Sequence, residues 1–378
     1  MIARTFLLLV ASTAAFSQSL ETVIQKGHDQ AVLAVSMSPD SNYVATGSRD
    51  KSAKLWELST GREVRSFLGH EGSVNCIDFT RDGKLMITSS GDQTARIWDV
   101  ISGKELFATP PAGKILTAVA FSPDQKYFVV AGYPDVATIW ELGSKKLIKE
   151  IKVNADQGAG YGINLSFSPD GKYLAIGEDN RTANLYATAT WEKSYTFTHE
   201  SGWCGGCATW TDFSADSRYL IMASNKAPVK KYDLSAGTEV KRYTENIEAL
   251  SGLSFSPDNK TVMAATKDEV ITWDAQSGTE RSRHKPETGS EINEVAYTAD
   301  GKRLLLACAN NITYVFDLPQ NRITGTLSGI LNERDKGGIA YDPNSYWESH
   351  IAKYLRLKNQ LMLSQDGKSL IKGKFGTR

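Results

Sequence analysis

Short apolar runs alternate with polar turns along most of the chain. Typical runs are Tyr43 to Gly47, Ala53 to Leu58 and Glu63 to Leu68, and Gly, Asp, Asn or Ser residues separate them. Runs of this length, rich in Val, Ile, Leu, Tyr and Phe, are typical of β-strands. No apolar stripe of helical length and 3.6-residue period lies between them, so the pattern does not favour alternating strands and helices. The chain is therefore predicted to be all-β.

One motif recurs throughout this pattern: an apolar strand that ends in an aromatic residue or Met, followed by a turn similar to Ser-Pro-Asp. Pro and Asp suit such a turn because Pro fixes φ and Asp binds nearby backbone N–H groups. Successive turn aspartates are separated by 42, 42, 46, 46, 42 and 42 residues. They are Asp40, Asp82, Asp124, Asp170, Asp216, Asp258 and Asp300. The near-constant period indicates seven copies of one structural unit.

Each copy holds about four predicted strands, which is the content of one β-propeller blade. Blades bury their faces against neighbouring blades, so their inner strands are covered on both sides. The run Leu116 to Phe121, which is apolar with little alternation, fits such a strand. We therefore predict a single β-propeller of four-stranded antiparallel blades.

Seven repeats are clear, but an eighth, degenerate blade is an open alternative. The run Glu21 to Gln25 resembles an outer strand that has no blade of its own. Gly338 to Asn344 and Leu361 to Gly373 resemble further repeat segments near the C-terminus. The predicted organisation is a propeller over residues 19–327, followed by a segment over residues 328–378 that is either an eighth blade or a closing extension.

The first two repeats share a set of polar residues at fixed spacing. Each has a Gly-His pair, an Asp 22 residues after the His, and a Trp six residues after the Asp. The residues are Gly27, His28, Asp50 and Trp56 in the first repeat and Gly69, His70, Asp92 and Trp98 in the second. This pattern closely resembles the WD40 repeat. The resemblance implies a buried hydrogen-bonded set in each blade, namely His28, Thr46, Asp50 and Trp56, and His70, Thr88, Asp92 and Trp98.

Later repeats depart from the WD40 pattern. Trp140 and Trp273 keep the Trp position, whereas Tyr186, Tyr232 and Phe316 replace it. We expect these blades to depend more on packing. A hydrolase triad of His28, Asp50 and Thr46 is not favoured, because the same residues recur in register in the next repeat. The resemblance is informative about fold and says little about function.

The first 18 residues have the pattern of a cleaved signal peptide. Arg4 precedes an apolar run from Phe6 to Ala15, and the small residues Ala15 and Ser17 precede Gln18. The run is shorter than the roughly 20 apolar residues that span a bilayer. We therefore predict an exported protein of the bacterial type, periplasmic or secreted, without membrane insertion after cleavage. A cytoplasmic WD40 scaffold is the alternative.

Charge argues against two classes of partner. Lys and Arg together number 43, as do Asp and Glu, so the chain has no net positive charge. Binding to nucleic acid or to an anionic membrane surface usually depends on such an excess. The expected partners are proteins, and the sequence indicates no cofactor and no metal.

The cysteines offer the main candidate chemistry. Cys204 and Cys207 lie in a Trp-Cys-Gly-Gly-Cys motif, for which a disulfide is the expected state in an exported protein. A redox site and half of a metal site are the alternatives, although His199 is the only nearby His. Cys76 and Cys308 lie in predicted inner strands and are expected to be inert.

Both repeat spacings of 46 residues frame the fourth repeat. The extra residues fall in Asn154 to Tyr161 and in Glu200 to Gly206, and both loops are expected at the same face of the ring. Trp203 and Tyr161 are the predicted partner-binding residues there. The predicted function is a non-catalytic exported scaffold with no catalytic residues. A redox or enzymatic role at the Cys204 and Cys207 loop or in the central funnel is the alternative.

Overall fold

The structure is a computed structural model that describes residues 27–133, 136–153, 163–178, 181–199, 209–328, 361–363 and 370–372. Every regular element in these ranges is a β-strand. In the described part of the chain, no helix is long and apolar enough to cross a membrane.

Strands β1 to β28 form seven four-stranded antiparallel sheets, each made of four strands consecutive in the chain. Blade 1 consists of β1 Val32–Met37, β2 Tyr43–Ser48, β3 Ala53–Glu57 and β4 Arg62–Phe67, and blade 2 of β5 Val74–Phe79, β6 Leu85–Ser90, β7 Ala95–Asp99 and β8 Glu105–Ala108. Blade 3 consists of β9 Ile115–Phe121, β10 Tyr127–Tyr133, β11 Val136–Glu141 and β12 Leu147–Lys152, and blade 4 of β13 Asn164–Phe167, β14 Tyr173–Gly177, β15 Thr182–Ala187 and β16 Glu192–Thr198. Blade 5 consists of β17 Thr209–Phe213, β18 Tyr219–Ser224, β19 Ala227–Asp233 and β20 Thr238–Ile247. Blade 6 consists of β21 Leu250–Phe255, β22 Thr261–Thr266, β23 Val270–Asp274 and β24 Glu280–His284, and blade 7 of β25 Ile292–Tyr297, β26 Arg303–Cys308, β27 Thr313–Asp317 and β28 Arg322–Leu327.

The repeated turn aspartates close the hairpin between the first two strands of each blade. In blade 1, Asp40 accepts hydrogen bonds from Ser38 Oγ at 2.5 Å and from the Asn42 backbone N–H at 3.1 Å. Corresponding bonds from a Ser or Thr hydroxyl reach the turn Asp in the other six blades. The turn prediction from the sequence is thereby confirmed, and the Asp carboxylate is what holds the turn.

Apolar packing joins each blade to the next and closes the ring. The described core divides into seven clusters, and each cluster combines residues of two adjacent blades. The cluster between blades 7 and 1 places Val32, Val44 and Trp56 against Leu305 and Val315. The molecule is therefore a seven-bladed β-propeller, which confirms the predicted fold class.

Blade 7 contains its own outer strand, β28, so its sheet is complete with four consecutive strands. The ring closes after seven blades, which decides between the two predicted blade numbers. Strands β29 Leu361–Leu363 and β30 Leu370–Lys372 form a separate antiparallel pair within the run Leu361 to Gly373 that resembles a further repeat segment. The N-terminal run Glu21 to Gln25 lies outside the described residues.

A bulge interrupts the outer strand of every blade. In blade 1, Leu55 pairs with Arg65 and Trp56 pairs with Glu63, so Val64 is left between two pairs. The same register shift occurs beside the Trp, Tyr or Phe at this position in the other six blades. Bulges on edge strands disfavour pairing with strands of other molecules. The exposed Val64, Leu106, Ile148 and Val240 are the residues that these bulges turn outward.

Carboxyl groups near the ring axis link the innermost strands of neighbouring blades. Asp78 Oδ2 accepts the Phe121 N–H at 2.7 Å, and Asp212 Oδ2 accepts the Phe255 N–H at 2.9 Å. Glu294 Oε2 accepts the Val35 N–H at 2.6 Å across the closing interface between blades 7 and 1. Each bond satisfies a backbone donor at the inner edge of blade 3, 6 or 1, where no further strand lies beside the sheet.

The protein surrounding these carboxyl groups raises their pKa values. Burial raises the pKa of Glu294 to about 8, although the hydrogen bond from Val35 favours the charged form. Burial likewise raises the pKa of Asp78 and of Asp212 to about 6. Asp78, Asp212 and Glu294 are each partly exposed as whole residues, which reduces the energetic weight of these shifts.

We predict that Glu294→Gln reduces the pH dependence of stability. A carboxyl group whose pKa is raised by folding stabilises the protein below its unfolded pKa, and this contribution is lost as pH rises through about 8. At about pH 9 the variant should exceed the natural protein by about 2 kcal/mol in free energy of unfolding, with a smaller difference at about pH 5. Urea unfolding at several pH values measures this difference. Parallel stability curves for the two proteins would contradict the prediction.

Candidate functional site

In blade 1 the structure brings together the four side chains that the sequence analysis groups. His28 Nδ1 lies 2.8 Å from Asp50 Oδ2, and His28 Nε2 lies 2.7 Å from Thr46 Oγ1. Trp56 Nε1 donates to the same Thr46 hydroxyl at 2.7 Å. Because a carboxylate only accepts, the His28 proton lies on Nδ1, and Nε2 accepts from Thr46. The four groups therefore satisfy one another in a single chain of bonds.

Asp50 also organises the turn between β2 and β3. It accepts the Asp29 N–H at 3.0 Å, the Ser52 N–H at 2.9 Å and the Ser52 hydroxyl at 2.6 Å. Burial opposes ionisation of this carboxyl group, but the bonds from His28 and Ser52 outweigh it and hold the Asp50 pKa well below its usual value. Asp50 is therefore charged and fully engaged at neutral pH.

Blade 2 repeats this arrangement. His70 bonds Asp92 at 2.7 Å and Thr88 at 2.8 Å, and Trp98 Nε1 donates to Thr88 at 2.9 Å. Burial lowers the pKa of His70, while Asp92 acts in the opposite direction. The imidazole is therefore neutral at physiological pH, as the hydrogen-bond pattern requires.

The geometry of these two sets is structural rather than catalytic. The Thr46 and Thr88 hydroxyls are fully buried, and each binds both a His and a Trp. A nucleophile must be accessible to a substrate, and these hydroxyls are not. His28, Asp50 and Thr46 are hydrogen-bonded as a catalytic triad would be, but a substrate has no access to the Thr46 hydroxyl.

The later blades replace this network with other contacts. Trp140 Nε1 donates to Thr138 Oγ1 of its own strand at 2.9 Å. In blade 5 the Tyr232 ring packs against Phe197 of blade 4, with 4.4 Å between ring centroids. In blade 7 Phe316 is buried and packs against the His284 ring.

The described thiols are unreactive. Cys308 is fully buried in β26, and Cys76 is partly buried in β5, so both lie in inner strands as the sequence predicts. Burial raises the pKa of each thiol to about 12, so neither is a thiolate at neutral pH. Neither forms a disulfide.

The predicted partner-binding residues Trp203 and Tyr161 and the predicted disulfide Cys204 to Cys207 lie outside the described residues. These assignments remain predictions. Within the described ranges, no group of three or more His, Cys, Asp or Glu side chains is arranged to hold a metal ion.

The sequence analysis missed an ion pair that recurs in three blades. A basic residue two positions before the Trp or Tyr of the third strand binds a Glu of the outer strand. Lys54 Nζ lies 2.8 Å from Glu63, Arg96 Nη1 lies 2.6 Å from Glu105, and Lys230 Nζ lies 2.9 Å from Glu239. The constant spacing from the Trp or Tyr position is a signal that could have identified these pairs.

We predict that Thr88→Val destabilises the protein by about 2–4 kcal/mol, because it leaves the buried His70 and Trp98 nitrogens without their shared partner. Ser89→Ala is the matched control on the same strand, since the buried Ser89 hydroxyl has no hydrogen-bond partner. The control should change the free energy of unfolding by less than about 0.5 kcal/mol. Urea unfolding measures both variants, and equal losses would refute a special role for the set.

Comparison with known proteins supports the repeat assignment. The family model of the WD domain, G-beta repeat, matches residues 18–57 and 61–99, which include most of blades 1 and 2. A WD repeat-containing protein 26 homolog of Arabidopsis thaliana is 23% identical over 172 residues, covering 45% of this chain and 28% of the relative. A ribosome biogenesis protein BOP1 homolog of Drosophila virilis is 42% identical over 48 residues, covering 13% of this chain and 6% of the relative. The chain spans less than a third of the length of these relatives. It is a seven-bladed β-propeller in which residues 18–57 and 61–99 match the WD domain, G-beta repeat.

Proposed function

We propose that this protein is a non-catalytic, exported scaffold that binds a protein partner at one face of the ring. The propeller supplies a rigid frame. The polar sets of blades 1 and 2 support a scaffold role, because their groups are buried and bonded to one another and so stabilise the blades. WD40 propellers usually act through their surfaces. The binding face is proposed from the connections between blades.

The connection face is the end of the ring that holds the links from each outer strand to the next inner strand. The turns between second and third strands lie at the same end, because the four strands of a blade alternate in direction. The links at residues 153–163 and 199–208 are longer than those at residues 68–73 and 109–114. This difference in length is the observation that carries the proposed site, since long loops on a rigid frame are common binding elements.

Exposed apolar side chains at the same end support a docking role. Leu68 is 72% exposed in the link between blades 1 and 2, and Ile115 is exposed at the start of β9. Trp203 and Tyr161 belong to the two long links, and we propose them as anchors on the same face.

We predict that variants at the connection face weaken partner binding and that a variant at the opposite face does not. Leu68→Asp combined with Ile115→Asp, and separately Trp203→Ala, should each reduce recovery of partners about tenfold after crosslinking in the native cell. Ile101→Asp is the control, since Ile101 is 79% exposed in a turn at the opposite face. Loss of partners only in the Ile101 variant would place the site at the other end of the ring.

Export is proposed from the pattern of residues 1–18 alone. We predict that the mature protein begins at or near Ser19, so that its mass lacks the preceding residues. Intact-mass measurement of the protein purified from its native source tests whether the preceding residues are removed. The gene must keep the codons for Arg4 and the apolar run. A mass equal to the whole chain would favour the cytoplasmic alternative.

A further inference from the structure

A cavity of about 410 Å³ lies at the connection face, between the outer strand of blade 5 and blade 6. The end of β20 and the link after it form one side, with Ile247 and Glu248. The turn between β22 and β23 forms the other side, with Asp268 and Glu269. Glu248 is exposed and the Asp268 side chain is 74% exposed, so the cavity opens to solvent.

The same two elements enclose a buried His in blades 1 and 2. There the His of the link binds the Asp of the turn between the second and third strands. Asp268 occupies the position of that Asp in blade 6, and its N–H likewise binds the hydroxyl two residues before it. Asn246 stands in the sequence where His70 stands in blade 2, and Ala264 stands where Thr88 stands. Blade 6 therefore lacks the imidazole and the hydroxyl that complete the polar set.

The Asp of the set is free of its structural role in blade 6. The side chains of Asp50 and Asp92 are 11% and 9% exposed, and each binds a His ring nitrogen at 2.8 or 2.7 Å. Asp268 has only a long ion pair with Lys285, at 3.9 Å, while Lys285 binds Glu269 at 2.9 Å. The carboxylate that stabilises blades 1 and 2 is therefore available to a ligand in blade 6.

The other charges at the cavity leave an excess of carboxylate. Its lining contains three acids and one base, which are Glu248, Asp268, Glu269 and Arg283. Arg283 is already engaged, because it binds Glu269 at 2.9 Å and Glu280 at 3.0 Å. Arg283 therefore does not neutralise Glu248 or Asp268.

Glu248 has no counter-ion in the part of the chain that the structure describes. Lys226 is the base beside it, since the Lys226 N–H binds the Ile247 carbonyl oxygen at 2.7 Å. No ion pair joins the side chains of Lys226 and Glu248 within the described residues. The two available carboxylates, Glu248 and Asp268, thus come from opposite sides of one cavity.

The inner surface of the cavity is apolar. Ile247 and Ile271 line it, are 4% and 5% exposed, and belong to the apolar cluster between blades 5 and 6. Lys and Arg side chains place their aliphatic stems on such a surface while the charged head remains at a polar edge. An apolar base with carboxylates at the opening therefore fits a long cationic side chain.

We propose that this cavity binds the side chain of an arginine or a lysine that a protein partner presents at the connection face. The aliphatic stem lies on Ile247 and Ile271, and the charged head binds Asp268 as the His ring N–H does in blades 1 and 2. Glu248 supplies the second carboxylate. The proposal rests on the proposed function for its partner, because the cavity lies at the proposed binding face.

Methyl NMR on the whole protein tests the cavity without any partner. The probes are Nα-acetyl-arginine amide and Nα-acetyl-lysine amide, and Nα-acetyl-citrulline amide is the uncharged control with the shape of the arginine probe. Ile247→Val and Ile271→Val identify the two methyl signals. We expect a saturable shift of both signals with a cationic probe, and about tenfold weaker binding of the citrulline probe, since hydrogen bonds to a charged group are stronger. The tighter cationic probe identifies the residue type that the partner presents.

Variants of the carboxylates give a second readout. Glu248→Gln combined with Asp268→Asn should weaken binding of the preferred probe about tenfold, because it removes both charges and keeps the side-chain shapes. Glu71→Gln is the matched control, since Glu71 is an exposed acid in the link between blades 1 and 2 at the same face. It should leave binding unchanged. No saturable shift, equal binding of the citrulline probe, or equal binding by the two sets of variants would overturn the proposal.

Crosslinking in the native cell extends the test to the partner and separates it from the proposed function. The Glu248 and Asp268 double variant should reduce recovery of the partner about tenfold, and Glu71→Gln should not. If the probes bind but every connection-face variant keeps its partners, the cavity binds the cation, and the assignment to a partner fails together with the scaffold role. If the Leu68 and Ile115 or the Trp203 variants lose their partners while no probe binds, the scaffold role stands and the cation proposal fails.

Discussion

The apolar faces of each blade can be covered only by the neighbouring blades, and this constraint governs the molecule. Every described cluster of buried apolar residues contains side chains from two adjacent blades. Burial at each junction contributes to the stability of both partners, at roughly 25 cal/mol for each Å² of apolar surface removed from water. Since no blade holds a core of its own, the ring has to close. The outer strand of each blade has one edge without a neighbouring strand, and a bulge interrupts each of these strands.

The sequence predicts those interactions whose partners lie within one repeat. Asp40 and Ser38 are two positions apart. The His and Asp of the polar set are 22 positions apart in both blade 1 and blade 2, so a constant spacing reveals these contacts. Contacts near the axis join different repeats and occur in only some blades, as Asp78 with Phe121 and Glu294 with Val35 do. They have no period that a single sequence could show. The number of blades was undetermined for the same reason, because it depends on the contact of blade 7 with blade 1.

The candidate site was partly predictable from the sequence. The strand order of a blade predicted that both long connections lie at the same face of the ring. The ion pair of Lys230 and Glu239 follows the spacing seen in blades 1 and 2. The state of His199 could not be predicted, because it depends on partners that three-dimensional packing fails to supply. Trp203, Tyr161, Cys204 and Cys207 remain assignments from the sequence.

His70 and His199 are both buried, but their hydrogen bonding differs. In blade 2 the surrounding Asp and Thr use the hydrogen-bonding capacity of the imidazole, so the residue contributes to folding and offers nothing to a ligand. At the junction of blades 4 and 5, the His199 imidazole is buried without such partners, so its hydrogen-bonding capacity is unused in the folded chain. A rigid ring can therefore hold an unfavourable polar arrangement at one junction, because the other junctions supply the stability that this one lacks.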